Sequence, residues 1–316
     1  MRLKPIWLGV WLIIGLLLVM TFLDIRTLLR LASEKPVDLP FVLRWGSRGS
    51  EDGQFDWAND LAVDGDGNVY LADGRNSRVQ KFDSDGAFLT KWGTSGEGEG
   101  QFTQPTGVAF DAAGAVYVLD LGTARVQKFS PRGDFLSVFI EGRIHGFSNP
   151  GDLISNQEGN FYVVDSGMHR IQKFDRDGQY LTYWGQRGSG PGQFEFPSSA
   201  VVDGEGYIYV ADKGNERVQK FDAQGHFMAQ WRVRGEVAHV AIDSGGQLYV
   251  SDPSHNRIWI FSASGELQGV YQNDDAGGES MAWPTVMAGD GYGNLFVARS
   301  NNVDQVRIYR YKALMP

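Results

Sequence analysis

The hydrophobic positions of this sequence fall in short runs that recur in a fixed order. The runs are rich in Val, Tyr, Phe and Trp and are separated by clusters of Gly, Asp and Pro. This pattern is typical of short β-strands joined by tight turns. Between Gly107 and Phe139 the order is strand, tight turn, strand, polar turn, strand, turn, strand. The pattern therefore predicts an all-β fold built from repeated units of four antiparallel strands.

One phrase marks each unit. It reads Asp-Gly-Arg-Asn-Ser-Arg-Val-Gln-Lys-Phe at residues 73–82, returns from Asp120, Asp165 and Asp212, and has a looser copy at residues 252–261. Successive Asp positions lie 47, 45, 47 and 40 residues apart. A repeat of this length with four strands is typical of one propeller blade.

The end of the sequence carries a sixth, incomplete copy. Residues 288–298 match the first two strands of a blade and residues 306–311 match a third. The missing outer strand is found at the other end, because residues 41–46 match the outer strands at 88–93 and 180–185. We therefore expect a six-bladed β-propeller in which residues 41–46 supply the outer strand of the last blade and pair its open edge.

The repeats resemble the NHL family. The resemblance rests on Gly-Gln-Phe-x-x-Pro at residues 100–105 and 192–197, on Tyr-Val-x-Asp, and on Arg-Val-Gln-Lys-Phe, and it covers nearly all of residues 41–311. It implies the propeller fold. NHL proteins include RNA-binding and protein-binding modules, bacterial sensor domains, and the peptidyl-hydroxyglycine amidating lyases, which build a central metal site mostly from histidines. The resemblance therefore leaves both binding and catalysis open.

The first residues follow a different pattern. After a charged stretch at residues 1–5, residues 6–23 contain no charge for 18 positions, about 27 Å of helix, which approaches the thickness of a bilayer core. A cleaved signal peptide is the alternative, but no Ala-x-Ala pattern follows. We expect a single transmembrane anchor at 6–23, a linker at 24–40, and a propeller at 41–316 that lies outside the cytoplasm.

Composition narrows the possible partners and excludes some sites. The chain has no cysteine, so disulfides and cysteine metal sites are excluded. The net charge is −9, and because residues 1–36 carry +3, the remainder carries −12. An acidic domain repels phosphate backbones, so a nucleic-acid partner is not expected.

Two recurring features are interpreted as scaffold. Each of the five Asp residues of the phrase is followed five positions later by Arg, which predicts a charged pair across the turn between two strands.

The Asp64-Gly-Asp-Gly-Asn68 segment contains half of a calcium-loop pattern. The equivalent segments share only a first Asp and a Gly three residues later, so a hairpin turn is the preferred interpretation.

The entrance to the central channel is where the blades differ. Equivalent positions at the start of the innermost strands hold Asp60, Gly107, Asp152, Ser199, His239 and Val286. In a six-bladed ring Asp60, Asp152 and His239 come from blades about 120° apart and could hold a divalent cation, calcium or zinc. The alternative is that the two carboxylates bond nearby backbone N–H groups and water. The five histidines and the serines show no triad arrangement.

Arginine and tryptophan mark the loops on the same face. Such residues are common on recognition surfaces. The candidate ligand-binding residues are Trp57, Arg75, Arg234, Trp283 and Arg299. The link from Trp231 to His239 lacks the Gly-Gln-Phe extension of other links, which predicts a low notch in the rim beside His239.

These observations lead to two hypotheses of different class. The first is a membrane-anchored NHL-repeat propeller that binds a protein, peptide or glycan on the face with the channel mouth. The second is a metal-dependent lyase or hydrolase that acts on a small ligand at the channel mouth.

Overall fold

The computed structural model describes residues 36–141, 146–272, 284–300 and 306–312. Within these ranges the chain forms an all-β propeller of six four-stranded antiparallel sheets and one short parallel ribbon. The helical segments are single 3₁₀ turns, at Gly74–Asn76, Ser166–Met168, Lys213–Asn215 and Pro253–His255. No helix of the described ranges has the length and apolarity to cross a membrane. The predicted anchor at residues 6–23 lies outside those ranges.

The chain enters the fold through β1 (Phe41–Trp45) and the ribbon formed by β2 (Ser47–Arg48) and β3 (Gln54–Phe55). Five blades of four consecutive strands follow. Blade one contains β4 (Ala58–Val63), β5 (Val69–Asp73), β6 (Arg78–Phe82) and β7 (Phe88–Trp92). Blade two contains β8 (Pro105–Phe110), β9 (Val116–Asp120), β10 (Arg125–Phe129) and β11 (Phe135–Glu141). Blade three contains β12 (Pro150–Ser155), β13 (Phe161–Asp165), β14 (Arg170–Phe174) and β15 (Tyr180–Trp184). Blade four contains β16 (Pro197–Val202), β17 (Ile208–Asp212), β18 (Arg217–Phe221) and β19 (Phe227–Arg232). Blade five contains β20 (His239–Ile242), β21 (Leu248–Asp252), β22 (Arg257–Phe261) and β23 (Leu267–Gln272).

The remaining four-stranded sheet, the composite blade, joins the two ends of the fold. It contains β24 (Pro284–Gly289), β25 (Asn294–Ser300) and β26 (Val306–Lys312), and its outer strand is β1. Phe41 lies opposite Tyr311 and Trp45 opposite Ile308 in antiparallel register. The predicted pairing of residues 41–46 with the last blade is therefore confirmed, and it closes the ring without leaving the edge of β26 open.

The hydrophobic core lies between neighbouring blades. The second strands are buried along their whole length, whereas outer strands such as β7 and β19 alternate between partly buried and exposed positions. This follows from packing, because a strand covered on both faces reads as a continuous apolar run. Trp92 at the end of β7 packs on Phe129 of blade two, with ring centroids 6.0 Å apart. Trp45 packs on Phe82 at the same distance, so β1 docks the composite blade onto blade one.

The Asp that begins the repeated phrase is buried in each of the first five blades, and its carboxylate connects several parts of the blade. All five, from Asp73 to Asp252, have no exposed surface. The Asp212 carboxylate accepts hydrogen bonds from the Glu195 N–H at 2.7 Å, from Asn215 and from Gln219, and pairs with the Arg217 guanidinium at 2.7 Å. One carboxylate thus ties the link before a blade to the 3₁₀ turn and to the third strand.

The predicted Asp–Arg pairs form in three blades. Asp73 and Arg78 lie 2.8 Å apart, Asp212 and Arg217 2.7 Å, and Asp165 and Arg170 3.8 Å. In blade two the Asp120 carboxylate instead accepts bonds from Thr103, Gln104 and Thr123. In blade five the His255 imidazole lies 2.9 Å from Asp252, and Arg257 donates to Gln272. The hydroxyls of Thr103 and Thr123 in blade two, and the His255 imidazole of the 3₁₀ turn in blade five, take the place of the guanidinium.

The turns after the innermost strands are hairpins, as preferred from the sequence. The Asp64 carboxylate accepts hydrogen bonds from the N–H groups of Asp66 and Asn68, and Gly67 has a φ of +83°. Asp64 therefore bonds its own turn, as an Asx-turn requires, and the positive φ accounts for the glycine.

Replacing Asp212 by Asn tests the role of the buried carboxylate. The variant keeps the shape of the side chain but leaves the buried Arg217 without its counter-charge, so the free energy of unfolding should fall by about 3–5 kcal/mol. Urea unfolding followed by circular dichroism measures the loss. Asp120→Asn is the matched control and should cost only about 1–2 kcal/mol, because hydroxyls bond Asp120 where a guanidinium bonds Asp212. Equal losses in both variants would contradict this account.

Candidate functional site at the channel mouth

The innermost strands of all the blades surround a central cavity of about 260 Å³. The links that precede these strands and the 3₁₀ turns lie side by side at one end of it. The Gly74 N–H, for example, bonds the Trp57 carbonyl at 2.9 Å. We call this surface the channel-mouth face.

Asp60, Asp152 and His239 lie buried at this end of the cavity, as the repeat spacing predicted. Each accepts a hydrogen bond from the backbone of the next blade. Asp60 Oδ2 bonds the Val108 N–H at 2.7 Å, Asp152 Oδ2 bonds the Ala200 N–H at 2.9 Å, and His239 Nδ1 bonds the Met287 N–H at 3.4 Å. In each case the donor lies 48 residues further along the chain. The alternative role expected for the two carboxylates, bonding to nearby N–H groups, is confirmed.

Two of the blades between them have small residues at this position, Ser199 and Gly107, and the third has Val286. Ser199 Oγ accepts a bond from the Val240 N–H at 3.4 Å. At Gly107 a Cβ atom would lie 2.7 Å from the Leu153 nitrogen, so only glycine fits. The Leu153 N–H is bonded instead by Asp152 Oδ1 at 2.7 Å. In four blades the residue at this position therefore accepts an N–H from the next blade, and at Gly107 the Asp152 carboxylate takes that role.

Asp60 and His239 lie next to each other at the axis. Asp60 Oδ1 lies 3.6 Å from His239 Nε2. Burial raises the pKa of Asp60 to about 6, with a contribution from the Asp152 charge, against the lowering effects of His239 and of the Val108 N–H. Asp60 is therefore a carboxylic acid that changes its charge near neutral pH at the channel mouth.

The three residues do not fit a metal centre. The described part of the chain contains no group of three or more His, Asp or Glu side chains arranged to hold a metal ion. Both Asp152 oxygens and one Asp60 oxygen already accept backbone N–H bonds, and His239 Nδ1 accepts another. A carboxylate turned toward backbone donors offers fewer lone pairs to a cation.

The candidate ligand-binding residues occupy several places on the channel-mouth face. The Arg75 guanidinium lies 4.6 Å from the centre of the Trp57 ring, so these two are brought together. Asp56 lies 3.6 Å from both Arg48 and Arg75. Arg234 is exposed in the link before blade five, and Arg299 is half-buried on β25, opposite Pro284. Trp283 lies outside the described residues.

Phe196 is a candidate that the sequence analysis missed. Its side chain is 50% exposed, and its backbone is left-handed, with a φ of +49°. The His169 imidazole holds it there, because Nδ1 accepts the Phe196 N–H at 3.0 Å and the ring centroids are 4.6 Å apart. Trp57 has the same backbone conformation, with a φ of +71°. Trp57 lies three positions before Asp60, and Phe196 lies three positions before Ser199, the equivalent residue of blade four. The same alignment of repeats could therefore have identified Phe196.

A groove of about 900 Å³ opens beside Phe196, over blades three to five. Glu236 and Gly235, from the short link before blade five, line it, so the predicted notch lies in this region. Glu236 pairs with Lys213 at 2.9 Å and accepts a hydrogen bond from Ser254. Partial burial raises the pKa of Glu236, but Ser254 and the Lys213 ammonium outweigh it and hold the pKa below its usual range. Glu236 is therefore ionised at neutral pH.

Two family signatures match the sequence. The NHL repeat matches residues 55–82 and 102–129. The SMP-30/gluconolactonase/LRE-like region matches residues 146–242. No curated protein matches the chain significantly.

Solved structures share the fold at low sequence identity. A gluconolactonase from Xanthomonas campestris is 17% identical, with a TM-score of 0.63, and the match covers 88% of this chain and 96% of that one. A chain of a nidogen/laminin complex is 17% identical, with a TM-score of 0.62 and coverages of 76% and 88%. Virginiamycin B lyase from Staphylococcus aureus is 11% identical, with a TM-score of 0.58 and coverages of 86% and 95%. These similarities establish the propeller fold and leave the function open.

Asp60→Asn should change the pH dependence of stability. Because the pKa of Asp60 in the folded protein is raised from 3.8 to about 6, the free energy of unfolding should fall as the pH rises through that interval. Asn cannot ionise, so the variant should escape this loss. The difference in free energy of unfolding, variant minus natural protein, should be roughly 2–3 kcal/mol larger at pH 7.5 than at pH 3.5. Urea unfolding at the two pH values measures the gain.

Asp152→Asn is the matched control for that experiment. An amide has one acceptor oxygen, whereas Asp152 accepts N–H bonds with both of its oxygens. This variant should therefore lose stability at pH 7.5. A gain in the control, or a pH-independent effect of Asp60→Asn, would refute the assignment.

Proposed function

Because this chain is an NHL-repeat β-propeller, we propose that it is a binding module whose ligand, a protein, peptide or glycan, docks on the channel-mouth face. The repeated residues are buried between strands, whereas many of the residues that differ between blades lie in the links on this face. A propeller of this kind supplies a rigid scaffold that positions recognition residues on its loops.

The observation that carries the proposal is the pair of aromatic side chains, Trp57 and Phe196, held on left-handed backbone at equivalent positions of blades one and four. A non-glycine residue in this conformation costs about 1–3 kcal/mol and persists where the surroundings enforce it. Both aromatic groups have partners that fix them, Arg75 in one case and His169 in the other. Rigid aromatic groups at a surface lose little conformational entropy when a ligand binds, which favours a role in recognition.

Residues 6–23 are proposed to anchor the module in a membrane, with the propeller outside the cytoplasm. The apolar length of this segment supports the anchor. The described chain begins at Pro36, which pairs with Val270 at the outer edge of blade five. An anchor that joins the propeller at the outer edge of a blade leaves the channel-mouth face accessible to a ligand.

The second candidate, a lyase or hydrolase at the channel mouth, is favoured by one observation, the Asp60–His239 pair with its raised carboxylate pKa. A carboxylic acid that titrates near neutral pH is suited to general acid–base chemistry. The geometry gives no support to the divalent cation that the lyase or hydrolase hypothesis includes.

Elemental analysis of the purified full-length protein should therefore find zinc and calcium well below one ion per chain. A stoichiometric ion lost in Asp60→Ala and His239→Ala would favour the metalloenzyme instead.

The binding proposal predicts a loss of affinity without a loss of fold. The partner would first be identified by crosslinking to the full-length protein in intact cells, and its affinity measured with purified components. The Trp57→Ala/Arg75→Ala double variant should weaken binding by at least about tenfold, a typical effect for aromatic and arginine hot spots. Arg234→Ala, Arg299→Ala and Trp283→Ala extend the series around the face.

His226→Ala is the matched control, since this exposed imidazole pairs with Asp222 in a hairpin on the opposite side of the disc. It should leave affinity unchanged, and thermal unfolding should show that all the variants remain folded. Full affinity in every channel-mouth variant would refute the proposal.

A further inference from the structure

The groove beside Phe196 exists because one link is short. The links before blades one, two and four carry an extension whose ends pair as parallel bridges, Ser47 to Gln54, Ser95 to Phe102 and Arg187 to Phe194. The link before blade five has no such extension. At Gly235 a Cβ atom would collide with the Asp252 carboxylate, so this link lies flat against the blade. The rim is thereby open above blades three to five.

One wall of the groove is aromatic. Phe196 presents half of its surface, and the His169 contact fixes the direction of the ring. An aromatic face held in this way offers an apolar platform for a flat ligand surface that carries C–H groups.

Part of the remaining lining presents oxygen acceptors. Ser166, Ser198 and Ser254 all line the groove, and their hydroxyls donate hydrogen bonds to protein oxygens, to Pro197 O, Val237 O and Glu236 Oε2. A serine hydroxyl that donates a hydrogen bond can still accept one from a ligand with its oxygen lone pairs. The groove therefore favours a ligand with several O–H donors.

The charges of the groove largely cancel. Lys213 and Glu236 neutralise each other at 2.9 Å, and Glu216 adds one exposed carboxylate. A strongly anionic ligand would meet Glu216 and Glu236, and a strongly cationic one would meet Lys213. The electrostatics favour a neutral ligand.

We propose that this groove binds a neutral oligosaccharide, with one sugar ring stacked on Phe196 and its hydroxyls donating to the serine and glutamate oxygens. The inference rests on the proposed binding function and assigns a ligand class to one part of the channel-mouth face. The groove volume of about 900 Å³ accommodates more than one sugar unit. A peptide fits less well, because its backbone offers one N–H donor per residue, whereas a sugar ring carries several hydroxyls.

Binding of neutral tetrasaccharides to the full-length protein, in a sugar-free detergent, tests the proposal. The probes are chitotetraose, maltotetraose, cellotetraose and mannotetraose, and saturation-transfer NMR followed by calorimetry gives the affinity. At least one should bind, and the affinity should change little between about 50 and 500 mM NaCl, since screening leaves neutral ligands unaffected. Phe196→Gly should reduce it by about tenfold, the loss of one ring stack. Glycine adopts the left-handed backbone readily, so the variant should fold.

Two variants control the experiment. Phe196→Tyr retains an aromatic ring and should bind as the natural protein does. His226→Ala removes an exposed ring on the opposite side of the propeller, outside the groove, and should not affect sugar affinity. Absence of binding to all four probes, or equal affinity in Phe196→Gly, would overturn the inference. So would salt-sensitive binding of a charged peptide that depends on Phe196.

The failure of this inference is distinguishable from failure of the proposed function. If a partner depends on Trp57 and Arg75 while no sugar binds, the sugar assignment alone is wrong. If neither ligand depends on the channel-mouth face, both are wrong.

Discussion

The buried carboxylate at the end of the second strand is the interaction on which the rest of this propeller depends. In each of five blades it accepts a backbone N–H from the link before that blade, from Asp56 in blade one to Glu236 in blade five. It also bonds the turn that follows the second strand, or the third strand of its blade. A buried charge requires several such bonds, so its burial forces the link, the turn and the strand into one arrangement. The same bonds place Trp57, Phe196 and Glu236 on the channel-mouth face, because these residues adjoin or provide the bonded N–H.

Scaffold and site are therefore connected through the backbone. The phrase that repeats is buried and determines where each link must lie, whereas the link sequence determines what it presents to a ligand. At the axis the situation is reversed. Asp60, Asp152, Ser199 and His239 differ in chemistry, yet each accepts an N–H from the following blade. Diversity in the links creates a surface for recognition, and diversity at the axis serves mainly to join the blades.

Much of the architecture followed from repeat spacing alone. The strands, the turns, and the pairing of residues 41–46 with the last blade were predictable because strand periodicity and turn residues are local signals. The positions of Asp60, Asp152 and His239 at one end of the cavity followed from the same alignment. Their partners did not follow, because the donors lie 48 residues away in sequence and belong to backbone that carries no signature. The alignment also contained Phe196, but only the left-handed backbone and the His169 contact distinguish it from an ordinary aromatic residue.

The sequence by itself determined the number of repeats, the closing strand and the list of residues that differ between blades. Those features depend on the spacing of residues along the chain, which the sequence contains directly. The tertiary structure decided which of those residues meet. It directed the carboxylates at the axis toward backbone N–H groups, paired Asp60 with His239, and opened a groove where one link is short. These outcomes depend on distances of a few ångströms between separate blades, which are set by how the blades pack together.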